Sequence, residues 1–389
     1  MKKYTDIFAE DLEIPGIVNQ KMEDAFAIIK MEENMSMENI NNFNEKKSRK
    51  VRLFKHPTVA AACICIVMIG SITAYAACNH FWSRGMKGSL QSTDEQQQTL
   101  VEEGIATVFH ETDDYTDMAV TDGGITVTPE TMVVNEKMVY LSLSVDGYNL
   151  KDGEEPDFEF VDVYLGDDPK AEDGWLDMGA SFYDGIVSAA DGTSMYEDGT
   201  PIKTDENGRL ISHYTDENGK MEYVIVAMVS DAKESLLGET LHVNLTNFGT
   251  VDKAAFAGDI EGKWNYTFNL SDVSSMKAVQ VGKEVENTVF VMDSIEISPV
   301  SIKLNYDVNG EVNMYEDING VPEFCGVVLK DGTRLPYLSD GGMSGYTDDT
   351  LSKAYDIKAF DRVIEPEQVL AILLRTESEE ELFEVKLDR

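Results

Sequence analysis

Residues 59–78 read VAAACICIVMIGSITAYAAC, and this stretch decides how the rest of the chain is organised. It carries no charge, and a helix of this length rises about 30 Å, which matches the hydrocarbon core of a bilayer. The run KKSRKVRLFK (46–55) just before it holds six basic residues, whereas only Arg84 and Lys87 follow before a long acidic stretch. Because positive charge stays on the cytoplasmic side of a membrane, the pattern predicts a transmembrane helix over residues 57–78, with the N-terminus in the cytoplasm and the C-terminus outside.

Three other interpretations of this stretch are weaker. A cleaved signal peptide could use the small-x-small site Ala74-Tyr75-Ala76, but the region before its apolar core would exceed fifty residues. A lipoprotein modified at Cys78 would need a leucine-like residue where Tyr75 stands. A buried core helix of this length would normally keep a polar face. Gly70, Ala74 and Cys78 form a small-residue stripe that either lets two such helices approach closely or reflects the alanine-rich composition alone.

The charge of the chain is strongly negative and unevenly placed. The 389 residues include 72 acids and 32 bases, for a net charge of -40. Residues 1–56 hold ten of each, which leaves 62 acids and 22 bases for the remainder. Such an excess repels nucleic acid and anionic lipid, so we predict that the C-terminal region binds neither. It is typical of a highly soluble exported surface, and diffuse cation binding is the alternative.

The cytoplasmic tail, residues 1–56, contains one clear amphipathic pattern. Within PGIVNQKMEDAFAIIK (15–30), apolar residues recur at helical spacing at Val18, Met22, Ala25, Phe26 and Ile29. A tail this short cannot bury such a stripe on itself. We therefore predict that Val18, Met22, Phe26 and Ile29 bind a partner: another protein, the inner membrane surface or a second tail. A fraying helix without a partner is the alternative.

Beyond the apolar stretch, the sequence predicts a stalk over residues 79–104. It begins with His80, Phe81 and Trp82, which match the aromatic belt found at membrane interfaces. It continues with the glutamine- and acid-rich run SLQSTDEQQQTLVEEG (89–104), which could be partly helical.

The remaining residues show mainly strand patterns. Apolar and polar residues alternate, as in half-buried strands, around Val139–Val145, Leu241–Leu245, Trp264–Leu270 and Val300–Val308. The pattern predicts a mainly β fold with two β-sandwich-like extracellular domains, over residues 105–272 and 273–389. Residues 367–375 (EQVLAILLR) could form either a helix or a buried strand.

Several short motifs predict turns between these strands. Thr204-Asp-Glu-Asn-Gly-Arg and Thr215-Asp-Glu-Asn-Gly-Lys repeat eleven residues apart, and Asn-Gly favours tight hairpins. Asp331-Gly332 predicts another hairpin. The acids Asp205, Glu206, Asp216 and Glu217 could instead supply oxygens to calcium, although their spacing differs from that of an EF-hand.

No catalytic or metal-binding pattern is visible in the sequence. The five histidines lack the companions of a zinc site, and there is no glycine-rich phosphate loop. Ser344 in GGMSGY lacks the G-x-S-x-G spacing of a nucleophile elbow. We predict that the protein is not an enzyme and uses no metal and no cofactor. With Cys63, Cys65 and Cys78 in the apolar stretch and only Cys325 beyond it, no disulfide framework is expected.

The chain resembles a group of Gram-positive single-pass membrane proteins that carry domain-of-unknown-function family 4179. The resemblance rests on IPGIVNQKMEDAFAIIK (14–30), the basic-flanked apolar stretch and GITVTPETMVVNEKMVYLSLSVDG (124–147). SIEISPVSIKLNYDV (294–308) and VVLKDGT (327–333) are similar to an immunoglobulin-like C-terminal domain often found with that family. The resemblance implies a membrane-bound anti-sigma regulator, although the tail has no His-x3-Cys-x2-Cys zinc motif of the kind found in the best-known anti-sigma domains.

Two hypotheses about function follow. In the first, the protein is a signalling regulator whose outer region senses or binds an unknown extracellular ligand and whose tail binds a sigma factor or another cytoplasmic protein. In the second, it is a structural or binding module displayed at the cell surface, and its tail serves only as an anchor.

Overall fold

The computed structural model of this protein describes the following parts of the chain: residues 63–64, 82–112, 118–166, 176–206, 208–229, 234–252, 255–310, 312, 320–347, 349–376 and 382–387. The predicted tail over residues 1–56, including Val18, Met22, Phe26 and Ile29, lies outside these ranges. The described residues from Cys63 onward belong to one compact unit.

Strands dominate the described residues, which confirms the mainly β fold class. The strands are β1 (Cys63–Ile64), β2 (Ala106–Val108), β3 (Val120–Asp122), β4 (Ile125–Val134), β5 (Met138–Asp146), β6 (Glu155–Leu165), β7 (Leu176–Phe182), β8 (Ile186–Ser188), β9 (Ser194–Tyr196), β10 (Met221–Val229), β11 (Thr240–Asp252), β12 (Ala255–Asn269), β13 (Lys277–Glu284), β14 (Phe290–Ile297), β15 (Ser301–Val308), β16 (Glu323–Leu329), β17 (Arg334–Leu335), β18 (Ser339–Tyr346), β19 (Lys353–Phe360), β20 (Val369–Arg375) and β21 (Phe383–Lys386). The helices are α1 (Arg84–Ser89) and α2 (Asp94–Glu102), with short 3-10 turns at Phe109–Glu111 and Pro366–Gln368.

Two sheets enclose the first hydrophobic core, which contains buried residues between Phe109 and Leu270. One sheet has the order β1-β12-β11-β6, and the other has the order β2-β4-β5-β10-β7 with β3 paired to β4. Trp264 and Tyr266 on β12 cross the core and donate hydrogen bonds to the Ile125 and Val127 carbonyls on β4. Aromatic side chains fill this core because each buries a large apolar area while its polar end still finds a partner.

Two further sheets enclose the second core, which contains buried residues between Val285 and Leu387. Their orders are β13-β14-β15-β19-β18 and β17-β16-β20-β21. Tyr306 on β15 donates a hydrogen bond to the Pro322 carbonyl at the start of β16 and so joins the two sheets. The predicted division between residues 272 and 273 falls between the first and second cores, and separate folding of the two halves stays a prediction.

A third core joins the first two. It combines residues of α1 and α2 with residues of β4, β5 and β19, among them Trp82, Met86, Tyr140 and Ile357. Strand β5 therefore differs from the half-buried strand that the sequence predicts. Residues on both of its faces are buried, because the first core covers one face and the third core covers the other.

The predicted stalk over residues 79–104 is wrong for its described part. Trp82, Met86 and Leu90 are fully buried, and α1 and α2 are packed against strands instead of standing free. Trp82 is 2% exposed and lies in the third core, so it does not form part of an interfacial aromatic belt. The physical reason is the spacing of these three residues, which places them on one face of α1 and its flanks, where burial removes apolar area from water.

The structure shows whether residues 367–375 form a helix or a strand, and whether the predicted turns are present. Residues 369–375 form β20 at the centre of a sheet. Asp331-Gly332 turns the chain between β16 and β17, with φ of 89° at Gly332, a conformation that glycine adopts without strain. The repeated segments also form turns, in which the Asp205 and Asp216 amides donate to the Arg209 and Lys220 carbonyls. These turns confirm the hairpin interpretation of the repeat.

Most of the predicted membrane span lies outside the described residues. Within them, only Cys63 and Ile64 belong to the span, and they pair in parallel with Tyr266 and Thr267 on β12. The helices of the described ranges are all too short or too polar to cross a bilayer. The transmembrane helix over residues 57–78 therefore stays a prediction, and the strand pairing of Cys63 and Ile64 is at odds with a helix at these two residues.

Candidate functional site

The candidate functional site is the region where helices α1 and α2 pack against both β cores. We call residues 82–105 the helical segment. The first half is the part of the chain around the first core (106–272), and the second half is the part around the second core (273–389). The junction is the region in which the helical segment contacts both halves. The predicted partner-binding residues of the tail lie outside the described residues, so the junction is the site that the structure places in view.

The sequence around α1 and α2 explains why this segment is helical. Ser83 caps the start of α1, where its hydroxyl accepts a hydrogen bond from the Met86 amide. Thr93 and Gln96 form a capping box at the start of α2, each side chain satisfying the backbone amide of the other. The Trp82 amide donates to Gln97 Oε1 over 3.1 Å and fastens the beginning of the segment to α2.

Helix α1 is attached to the first half through partly buried polar contacts. The hydroxyls of Ser83 and Ser142 on β5 lie 2.8 Å apart and share a hydrogen bond. The Gly85 amide donates to Glu222 Oε2 on β10 over 2.7 Å. Burial raises the pKa of the Glu222 carboxyl, while its hydrogen bonds with Ser83 and Gly85 oppose that rise. An unpaired carboxylate there would be costly, so the helix start and Glu222 stabilise one another.

Arg84 adds a second anchor on the same half. Its guanidinium pairs with Glu197 at 2.7 Å, donates to the His213 carbonyl at 2.5 Å and lies over the ring of Tyr183. The Tyr183 ring also packs on Gly88, where an added Cβ would come within 2.0 Å of it. Arginine suits this position because its planar group bonds and stacks at once. Desolvation, and after it the nearby Glu197 carboxylate, raise the pKa of the Tyr183 phenol.

The connection between α1 and α2 is attached to the second half. Gln91 forms a parallel bridge with Arg362, in which the Gln91 amide donates to the Asp361 carbonyl and the Val363 amide donates to the Gln91 carbonyl, both at 2.8 Å. The Gln96 side chain donates to the Val363 carbonyl at 3.2 Å. The helical segment thus forms hydrogen bonds with both halves within a few residues.

The two halves also touch one another directly. Tyr140 on β5 is fully buried, and its hydroxyl donates to the Val300 carbonyl at 3.0 Å and accepts from the Phe360 amide at 3.1 Å. Asn135 donates to the hydroxyls of Ser298 and Ser301. Buried polar contacts of this kind favour one relative placement of the two halves, because a buried hydroxyl or amide side chain loses free energy when its partners move away.

A cleft of about 370 Å³ opens at the junction. Its lining includes residues of the helical segment and of both halves, namely Gly88, Gln91, Tyr183, Asp184, Asp340 and Asp361. Partial burial and the neighbouring Asp361 raise the pKa of Asp340. Asp361 is itself paired with Arg362. The cleft is therefore acidic, as the overall charge of this region leads one to expect.

The chemistry of the junction is that of a packed interface. In the part of the chain that the structure describes, no group of three His, Cys, Asp or Glu side chains could hold a metal ion, and this includes the repeated acidic turns. Cys325 is a free buried cysteine. Sequence reasoning missed the junction, although Thr93-Asp-Glu-Gln96 is a recognisable capping box and Trp82, Met86 and Leu90 are an apolar stripe.

Comparisons with known proteins leave the family undetermined. No family model matches the chain, and no curated protein matches it. Among solved structures, the chain is similar to one described as the conserved domain protein from Bacillus anthracis, with 13% sequence identity over 70% of this chain and 87% of that chain, at a TM-score of 0.39. We transfer neither fold nor function from a likeness of this extent.

Proposed function

We propose that this protein is a membrane-anchored signalling regulator. In this proposal the apolar stretch over residues 59–78 spans the membrane, the outer region forms two β-sandwich-like domains that bind an unknown extracellular ligand, and the tail binds a sigma factor or another cytoplasmic protein. The proposal adopts the orientation that the basic flank at residues 46–55 predicts.

The observation that best supports a regulator is the location of the helical segment. It begins four residues after the predicted span, at Trp82, and is buried between both halves of the outer region. A ligand that changes the contact between the halves would therefore act directly on the chain entering the membrane. A module that is merely displayed needs only a tether, for which no such burial is required.

The tail supplies the other end of the proposed signal path. Burying three of the side chains Val18, Met22, Phe26 and Ile29 against a partner would contribute about 4–8 kcal/mol before the cost of association. That range is compatible with a reversible complex of roughly micromolar affinity. Glu23 and Asp24 beside the stripe would be repelled by anionic lipid, which favours a protein partner.

The proposal is tested by substitutions in the tail stripe. Replacing Phe26→Asp and Ile29→Asp together should abolish capture of the cytoplasmic partner by the full-length protein and raise transcription of the genes that the partner controls, because charges cannot be buried in an apolar contact. Affinity capture and transcript levels measure the two effects.

The matched control places the same two charges away from the stripe, as Gln20→Asp and Ala27→Asp. This variant should retain the partner and leave transcription unchanged. If the stripe variant behaves like the control in both measurements, the regulator proposal fails and the surface-module hypothesis replaces it.

A further inference from the structure

A group of charges connects the two sheets of the second core, and two of its three members, Asp356 and Lys358, are buried. Strand β19 carries Asp356 and Lys358, two residues apart and therefore on the same face of the strand. Glu323, at the start of β16 in the opposite sheet, faces them. We call Asp356, Lys358 and Glu323 the charged triad.

The contacts of the charged triad bridge the two sheets. Lys358 Nζ lies 2.7 Å from Glu323 Oε1 and 3.5 Å from Asp356 Oδ1. Asp356 Oδ2 accepts a hydrogen bond of 2.7 Å from the Phe324 amide on β16. Oδ1, by contrast, accepts no hydrogen bond from any residue that the structure describes. One oxygen of Asp356 therefore holds the sheets together, while the other is only incompletely satisfied.

The surroundings of Asp356 disfavour its charged form. The side chain is fully buried, and desolvation raises its pKa to about 7 against the opposing effect of Lys358. The titratable groups that face it are Lys358 on the same strand, Glu323 and Cys325 on β16, and Tyr306 on β15. Burial raises the pKa of Cys325 and of Tyr306, and Lys358 keeps its charge because Asp356 and Glu323 outweigh its desolvation.

The sign of the pH effect follows from this shift. Because the folded protein binds a proton at Asp356 more tightly than the unfolded chain does, the resulting stability is fully present below pH 4 and is lost as the pH rises through about 7. Lys358 titrates above this range, since its pKa is raised from an already high value.

The position of β19 connects the charged triad to the junction. The alternate residues of the same strand, Tyr355, Ile357 and Ala359, point to the opposite face and belong to the third core with Trp82 and Met86. One face of β19 packs in the second core and the other packs against the helical segment. A shift of β19 in the second core would therefore also change its contacts with the helical segment.

We propose that Asp356, Lys358 and Glu323 form a pH-responsive latch between the two sheets of the second core, which is tightest in acid and loosens as the pH rises to neutrality. The latch concerns the second core alone and does not require that the tail bind any partner.

The test is hydrogen exchange of the full-length protein in detergent micelles between pH 5 and pH 8. Protection of the segment containing Phe324, corrected for exchange in the unfolded chain, should fall with rising pH by at most tenfold per unit, about the slope of a single proton. Asp356→Asn should remove this dependence. The side-chain oxygen of the asparagine can still accept the hydrogen bond from the Phe324 backbone amide, but the asparagine does not titrate. The peptide containing Trp82 and Met86 should follow the same trend.

Two further variants make the result unambiguous. Asp307→Asn removes an exposed carboxylate from the neighbouring strand β15 and should keep the wild-type dependence. Lys358→Gln removes the cation beside Asp356 and should move the loss of protection to higher pH. A wild-type protein without pH dependence, an Asp356→Asn variant with the wild-type dependence, or a Lys358→Gln variant whose curve stays in place would each overturn the proposal.

Discussion

At the scale of single residues, Tyr140 is one of the buried contacts between the two halves, together with Asn135. Its hydroxyl satisfies the Val300 carbonyl and the Phe360 amide at once, in a site without exposure to solvent. Burial raises the pKa of this phenol far above its usual value, so it stays protonated and can keep donating. Its function is therefore structural and independent of pH in the physiological range.

Replacing Tyr140→Phe should lower the free energy of unfolding by about 1 kcal/mol, because the hydrogen bonds of the buried hydroxyl are lost while the Phe360 amide keeps its bond to the Val300 carbonyl. Urea unfolding followed by circular dichroism measures the change. Tyr337→Phe is the matched control, since Tyr337 is 53% exposed, and it should stay within about 0.5 kcal/mol of the wild type. Equal effects of the two substitutions would contradict the role of Tyr140.

At the scale of elements, the helical segment behaves as part of the β fold. Its apolar residues cover faces of β5 and β19 that would otherwise meet water. A truncation that removes Trp82, Met86 and Leu90 therefore exposes an apolar patch, which in soluble proteins leads to association.

Two fragments test this function of the segment. Residues 82–389 should be soluble, monomeric and mainly β by circular dichroism. Residues 100–389, which lack α1 and the first part of α2, should melt at lower temperature and associate at high concentration, as measured by thermal melting and light scattering. Equal melting temperatures and equal molecular mass for the two fragments would show that the segment is dispensable.

The strands could be predicted from the sequence, whereas the elements that pack on each face of a strand could not. Alternation at Leu241–Leu245, Trp264–Leu270 and Val300–Val308 predicts strands that the structure contains as β11, β12 and β15. The same alternation in β5 predicts one wet face, because Tyr140, Ser142 and Ser144 are read as polar. Small hydroxyl residues also permit close packing, and only the tertiary structure reveals that α1 approaches Ser142.

The helical segment was missed for a related reason. Glutamines and acids dominate residues 89–104, and that composition resembles a solvated stalk. Gln97 is nevertheless fully buried, because its side chain binds the Trp82 amide and the Ser92 hydroxyl. The burial of such a polar residue depends on hydrogen-bond partners outside its own helix, and the hydrophobic periodicity of the helix does not reveal them.

At the scale of the whole molecule, most charged side chains lie on the surface and most apolar side chains lie in the cores. The acids lie mainly on the surface, where they favour solubility, while the three hydrophobic cores contain few charges. The charged triad is the main departure from this arrangement, and it lies on the strand that connects the second core to the helical segment. If the proposed function is right, a signal received by the β-rich region would pass through the junction.

The proposed function requires that the chain cross a membrane once, with the tail inside and the β-rich region outside. Its most direct test is the labelling of single introduced cysteines by a membrane-impermeant maleimide in intact protoplasts. Glu286→Cys, at an exposed turn of the second half, should react at once, whereas Ser36→Cys in the tail should react only after the membrane is permeabilised. The wild-type chain is the control for its own cysteines. Labelling of Ser36→Cys in intact protoplasts, with Glu286→Cys protected until permeabilisation, would contradict the proposed membrane topology.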